Sequence, residues 1–344
     1  MSLPRWRRNS LATEGKRAFL VILDGVGVGG APDASSYGDE GSDTLGNLSR
    51  EVGGLELPNF RRLGLGNLAR IEGMAPVARP IASFGRMEER SAGKDSVAGH
   101  WEICGLVTRT PFPTYPHGFP PEVVQLVEEV SGRPVLGNEV ASGTEIMDRL
   151  GAEHVKTGRL ILYTSADSVL QLLAHEEVVP LEELYRVCAE IRRRLPQEHR
   201  VARVIARPFL GEEGAFVRTS NRRDYAIEPQ GRTVLDALAE AGFPVHGIGK
   251  VDTLFAGRGF SGREKTKNNT EGIARIRRYL EQFERGLVFA NLLDFDMQWG
   301  HRNDVKGFHR GLVELDAKLP AWLEAVRPGD LVILTADHGN DPTT

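Results

Sequence analysis

Leu331-Val332-Ile333-Leu334-Thr335-Ala336-Asp337-His338-Gly339-Asn340-Asp341 is the stretch from which the rest of this 344-residue chain is read. Leu331 to Ala336 follows a Pro328-Gly329-Asp330 turn and is nearly all apolar. That is the pattern of a short strand buried on both faces in the middle of a parallel sheet. A carboxylate and an imidazole stand at its C-terminal end, and Gly339 lets the backbone turn sharply there. Open α/β sheets bind ligands at such strand ends. The pattern occurs twice more. Arg17 to Leu23 ends in Asp24-Gly25, and Leu287 to Leu293 ends in Asp294-Phe295-Asp296, with His301 a little further on. Bare carboxylates about 4 Å apart repel by roughly 4 kcal/mol at an effective dielectric near 20, so three such ends converge only around a cation. One strand-end Asp alone is better read as a helix cap. Three of them with two His point to a metal centre.

Length and composition set the frame. A chain of 344 residues predicts two domains. The net charge is −4 with both signs dispersed, which argues against a nucleic-acid surface, since that needs a clustered basic face. Cys104 and Cys188 are the only cysteines and indicate neither a disulfide framework nor a thiolate zinc site, which suits a reducing cytoplasm. The segment 1–16 is basic without an apolar core and reads as a disordered leader, not a signal peptide. No apolar run approaches the ~20 residues that span a bilayer. The expectation is a cytoplasmic protein with small-molecule partners, no nucleic acid and no membrane.

Along the chain, Gly25-Val-Gly-Val-Gly-Gly30 lacks the G-x-G-x-x-G spacing of a dinucleotide site and reads as a flexible loop beside a metal-binding strand end. Gly93-Lys94-Asp95-Ser96-Val97-Ala98-Gly99-His100 has the small residues and neighbouring charges of a nucleophile on a tight turn. By itself it reads equally as a polar turn before a helix. Pro111, Pro113, Pro116, Pro120 and Pro121 mark a boundary. Beyond it, strands and helices alternate without any strand-end Asp/His cluster. From Thr233 the first style resumes, with a strand Val245 to Val251 carrying Lys250, and a helix Val305 to Val326 kinked at Pro320. The predicted organisation is a discontinuous catalytic core of residues 17–110 and 231–344 around an inserted α/β domain of residues 111–230.

Four ordered motifs, Asp24-Gly, Gly93-Lys-Asp-Ser-x-x-Gly-His-Trp-Glu, Asp294-Phe-Asp-Met-x-x-Gly-His-Arg and Ala336-Asp-His-Gly-Asn-Asp-Pro-Thr-Thr, closely resemble the phosphopentomutases of the alkaline phosphatase superfamily. The resemblance covers Arg17 to the end. It implies an alkaline-phosphatase-like α/β core, with a mostly parallel sheet flanked by helices, plus a cap domain. It also implies an isomerase that interconverts ribose or deoxyribose 1-phosphate and 5-phosphate. Two divalent metals, usually manganese, and a bisphosphate primer such as glucose 1,6-bisphosphate or ribose 1,5-bisphosphate come with it. By the resemblance, Asp296 and His301 hold one metal; Asp24, Asp337, His338 and a phosphorylated Ser96 hold the other. Ser165, Asp167, Arg203, Arg207 and Arg218 fall at sugar-contacting positions of the cap. Lys94 and Lys250 could offset phosphate charge, although a lone Lys more often sits on a solvated face. Ser96 stands where the family commonly has Thr. The family pattern also runs on past Asp-Pro-Thr-Thr to another metal-binding His, so the expectation is a C-terminally truncated chain short of one ligand. The competing readings are another phosphatase of the superfamily, a cofactor-independent phosphoglycerate mutase, and an inactive metal- or sugar-phosphate-binding protein.

Overall fold

The computed structural model describes residues 15–93 and 95–344. Most of the basic leader, and Lys94, lie outside the described residues. The chain divides into two compact units. The first holds residues up to Glu89 with Val234–Asp252 and Gly259–Thr344, and the second Arg90–Thr233 with Thr253–Arg258.

β1 (Arg17–Leu23), α1 (Thr44–Glu51) and α2 (Pro58–Leu63) open the first unit. The second follows with α3 (Ser96–Ile103), α4 (Pro121–Ser131), β2 (Val135–Val140), α5 (Gly143–Thr157), β3 (Leu160–Thr164) and β4 (Val169–His175). It continues through α6 (Leu181–Arg194), β5 (Arg203–Leu210), β6 (Val217–Arg218) and β7 (Arg223–Ala226). The chain then supplies α7 (Val234–Glu240), β8 (Val245–Ile248), α8 (Val251–Leu254), β9 (Gly262–Glu264) and α9 (Asn269–Gln282). β10 (Gly286–Leu292), α10 (Val305–Ala325) and β11 (Leu331–Thr335) complete it. No helix among the described residues is long and apolar enough to cross a membrane.

The first unit is built on a sheet of order β11-β1-β10-β8-β9 in which every pairing is parallel. Its central strands are β1 and β10, not β11. Every residue of β10 is buried, as a strand covered on both faces should be. Among the described residues β11 pairs only with β1, which leaves Leu331 and Ile333 55% and 40% exposed. An apolar run does not distinguish a central strand from an edge one; only Val332 and Leu334, on the alternate face, pack against the core. Register aligns the ends. Leu23 lies opposite Leu292 and Ile22 opposite Thr335, so Asp24, the Asp294–Asp296 turn and Asp337 leave the sheet at the same edge. The strand predicted over Val245 to Val251 stops at Ile248, and Gly249, at φ +90°, turns the chain so that Lys250 stands exposed.

Arg17 ties the opposite edge of this sheet together. Its guanidinium pairs with Asp330, Nε donating to Oδ1 at 2.8 Å, while Nη1 donates to the carbonyls of Leu280 and Phe283 at 2.8 Å each. Both side chains of the pair are almost wholly buried. Asp330 thereby titrates below the usual carboxylate range: burial pushes its pKa up, but the bonds from Arg17 and from the Arg327 backbone outweigh it.

In the second unit the sheet order is β2-β3-β4-β5-β6, with β7 on β5, mixing parallel and antiparallel pairs. One face packs Leu162, Leu170, Leu172, Val204 and Ala206 under α4 and α6. The other carries Tyr163, Gln171, Ile205, Arg207, Arg218 and Asp224, which the register places on the same side of the pleat.

Candidate metal centre

The three strand ends of the first unit do come together. Asp24, Asp337 and His338 offer ligand atoms that all lie within 4.8 Å of one another. His338 Nε2 is 3.4 Å from Asp24 Oδ1 and 3.5 Å from Asp337 Oδ2. Beside them His301 Nε2 is 3.3 Å from Asp296 Oδ2. Each carboxylate is held by a neutral donor. Asn291 Nδ2 donates to Asp24 Oδ2 at 2.8 Å, the Gly25 amide to Asp337 Oδ1 at 3.2 Å, and Asn340 Nδ2 to Asp296 Oδ1 at 2.7 Å.

Electrostatics agree with the geometry. Burial alone would lower the pKa of His338, but Asp337, Asp24 and Asp296 together raise it well above its ordinary value. Burial would raise that of Asp296, yet His301, His338 and the Asn340 donor hold it down. Two buried carboxylates that raise the pKa of the imidazole beside them mark a site that favours positive charge, which a metal would supply in place of the proton. Hard oxygens with imidazole nitrogen suit a divalent first-row ion. The residues present fit a metal.

Close backbone approach explains the glycines. A Cβ on Gly27 would lie 2.8 Å from Gly339 Cα, and one on Gly25, at φ +76°, 3.0 Å from Asn340 Cβ. Gly25 and Gly27 are therefore pressed against the segment after β11. Asp341 fastens that contact, accepting from the Asp43 amide at 2.9 Å and from Asn47 Nδ2. Asp43 in turn caps α1 and accepts from the Gly29 amide at 2.9 Å.

Asp294 takes a different part from Asp296. Its Oδ2 accepts from the Asn269 amide at 2.7 Å, and its own amide donates to Asn269 Oδ1 at 3.0 Å, so it fixes the start of α9. Sequence reasoning missed Asn291, Asn340 and Asp341. For Asn291 there was a signal, a lone amide side chain inside a buried apolar strand. For the other two there was none beyond their place beside Asp337.

Ser96 lies in the second unit as the first residue of α3. Asp95 caps that helix, accepting from the amides of Val97 and Ala98 at 2.9 and 3.1 Å, and Gly93 turns the chain at φ +113°. His100 and Trp101 are buried; the His100 ring bonds the Ser96 carbonyl at 2.7 Å and Trp101 Nε1 donates to the Leu254 carbonyl at 2.8 Å. Ser165 and Asp167 fall in the β3–β4 turn, Asp167 exposed. Arg203, Arg207 and Arg218 share the polar face of the second sheet. Arg207 Nε donates to Gln171 Oε1 at 3.0 Å, and Arg203 lies 3.8 Å from Asp224. Arg222, absent from the sequence-based candidates, forks onto Asp224 with two bonds of 2.7 Å. Arg222, Arg203 and Arg207 act on the one Asp224 carboxylate and Arg218 lies near Arg207 and Tyr163, so this face carries an excess of positive charge. Lys250 belongs to the first unit.

A fold with parallel strands delivering carboxylates and imidazoles to one edge defines a class, and the sequence agrees: residues 16–344 match the Metalloenzyme superfamily, so this is a metal-binding enzyme of that superfamily. Phosphopentomutases from Carboxydothermus hydrogenoformans and Desulfitobacterium hafniense are each 53% identical over 329 residues, 96% of this chain and 85% of theirs. One from Kosmotoga olearia is 49% identical over 330 residues, covering 95% of this chain and 85% of its own. The chain belongs to the phosphopentomutase family and is an isomerase.

Proposed function

We propose that the protein interconverts pentose 1-phosphates and 5-phosphates, of ribose or deoxyribose, through a phosphoryl group carried on Ser96. The observation that carries this reading is the convergence of Asp24, Asp337 and His338 beside the Asp296–His301 pair in a chain of this family. Two divalent cations, manganese by the family resemblance, would be held by Asp24, Asp337 and His338 and by Asp296 and His301. Bound there, they would clamp the attacking and leaving oxygens of an in-line phosphoryl transfer. Asn291, Gly25 and Asn340 hold the carboxylates in place beforehand, so that no reorganisation is needed during the reaction. Phospho-Ser96 gives its phosphoryl group to the free hydroxyl of the pentose phosphate, forming a bisphosphate. The opposite phosphate then returns to the Ser96 oxygen, leaving the isomer. Arg203, Arg207 and Arg218, with Ser165 and Asp167, select the sugar phosphate, and Lys250 offsets its charge. A sugar bisphosphate such as glucose 1,6-bisphosphate primes Ser96.

Incubation with glucose 1,6-bisphosphate should add one phosphate to the peptide containing Ser96, and Ser96→Ala should abolish ribose 1-phosphate isomerisation with the fold intact. Full activity in that variant would exclude the phosphoserine route. Hydrolysis of p-nitrophenyl phosphate without a primer, with no isomerisation, would make the chain a phosphatase instead.

A further inference from the structure

We propose that Asn340 is a positioning residue for the cation site, selecting which oxygen of Asp296 is presented to the metal. The inference rests on the reading of Asp296 and His301 as cation ligands. The Asn340 carboxamide occupies Asp296 Oδ1 at 2.7 Å, which leaves Oδ2, the oxygen that faces His301 Nε2 at 3.3 Å. A carboxylate oxygen that already accepts an amide N–H is the poorer donor of the two, so a cation is best met by the other oxygen, and the bond restrains the carboxylate from turning to two-oxygen coordination. The donor is neutral, so Asp296 keeps the full charge that a cation needs; a Lys or Arg in its place would compete with the metal.

Asn340 also joins the two halves of the centre. Its backbone N–H donates to the Gly25 carbonyl at 2.8 Å, directly after Asp24. The side chain is wedged, since a Cβ on Gly300 would come within 2.7 Å of its Cγ and Nδ2, and one on Gly25 within 3.0 Å of its Cβ. Gly300 immediately precedes His301, so the same amide sets how closely the His301 backbone approaches. Asn is often used where the chain enters left-handed backbone space, but among the described residues the non-glycine positions of that kind are Asn138, Ala256 and Asn303. Backbone conformation therefore does not account for Asn340; its hydrogen bond does.

Manganese titration by isothermal calorimetry, on the wild type and on Asn340→Ala and Asn340→Leu, separates a donor from a space-filler. Ligating carboxylates that lose such a partner typically lose roughly 10- to 100-fold in metal affinity. Both variants are expected to show that loss, to need correspondingly more Mn2+ for half-maximal turnover, and to keep the metal-free melting temperature of the wild type. Wild-type affinity in both overturns the proposal. So does wild-type affinity in Asn340→Leu alone, which makes the residue a filler, or a fall in metal-free stability that accounts for the lost affinity. Asp296→Ala serves as the control: if it binds Mn2+ like the wild type, the ligand reading of Asp296 fails, and this inference with it.

Discussion

His154 is wholly buried in the second unit, against Phe209, with both ring nitrogens committed. Nε2 accepts from the His175 amide at 2.9 Å, which requires it to be unprotonated, and Nδ1 bonds the Arg159 carbonyl. Burial lowers its pKa from the ordinary 6.5, more than the Arg159 carbonyl raises it, and His175 and Arg133 add to the lowering. A histidine with a depressed folded pKa costs nothing while both states are neutral. As pH falls below about 6.5 the unfolded chain takes up a proton that the folded chain refuses, and stability declines until the folded pKa is passed. The second unit should therefore melt at progressively lower temperature below that pH. In His154→Gln, whose carbonyl can accept the same bond without titrating, the slope should be shallower. Equal slopes in thermal melts across the range would clear His154 of this role.

Helix α10 shows a similar economy one scale up. Pro320 sits inside it without ending it, although proline has no N–H for the carbonyl four residues earlier. That carbonyl belongs to Asp316, and Asn59 Nδ2 supplies the missing donor at 3.0 Å. The Asp316 carboxylate, 4% exposed, then accepts from the amides of Asn59 and Phe60 at 3.0 and 2.8 Å. These are first-turn amides of α2, whose own cap residue, Leu57, contributes no side-chain bond. A helix is thus capped from a neighbouring helix. Asp316→Ala should destabilise the first unit by roughly 2–4 kcal/mol, since charge-assisted bonds are worth ~1.5–3 kcal/mol each and buried amides lose their acceptor. Denaturant melts measure this, and a change within about 0.5 kcal/mol would mean that water replaces the carboxylate.

Across the whole molecule the two units carry different chemistry. Among the described residues, clustered carboxylates and imidazoles that could hold a cation belong to the first unit, while the second presents a face of guanidinium groups. Metal affinity and sugar-phosphate affinity should therefore separate under mutation. Arg207→Ala removes a cation capable of bonds to phosphate worth ~1.5–3 kcal/mol. It should raise KM for ribose 5-phosphate by roughly ten- to a hundredfold while leaving calorimetric Mn2+ binding unchanged. The reverse pattern, lost metal with KM intact, would place the sugar phosphate elsewhere.

Period and punctuation were enough to place β1, β10, α4 and α6 within a few residues, because apolar runs and Pro/Gly boundaries are local properties. The convergence of Asp-bearing strand ends, with His nearby, was likewise legible, since parallel strands bring their C-terminal ends to one edge. Other features were not local. Leu331 to Thr335 has the composition of a central strand yet lies at the sheet edge, because strand order is set by packing partners. Asp294 and Asp296 are equivalent in the sequence, but the turn after β10 aims one at the start of α9 and the other at His301. Asn291 and Asp341 acquire their roles from residues hundreds of positions away, and Asn340 from Asp296, 44 positions back. A hydrogen bond between distant segments exists only once the chain has folded, and leaves no periodicity behind it.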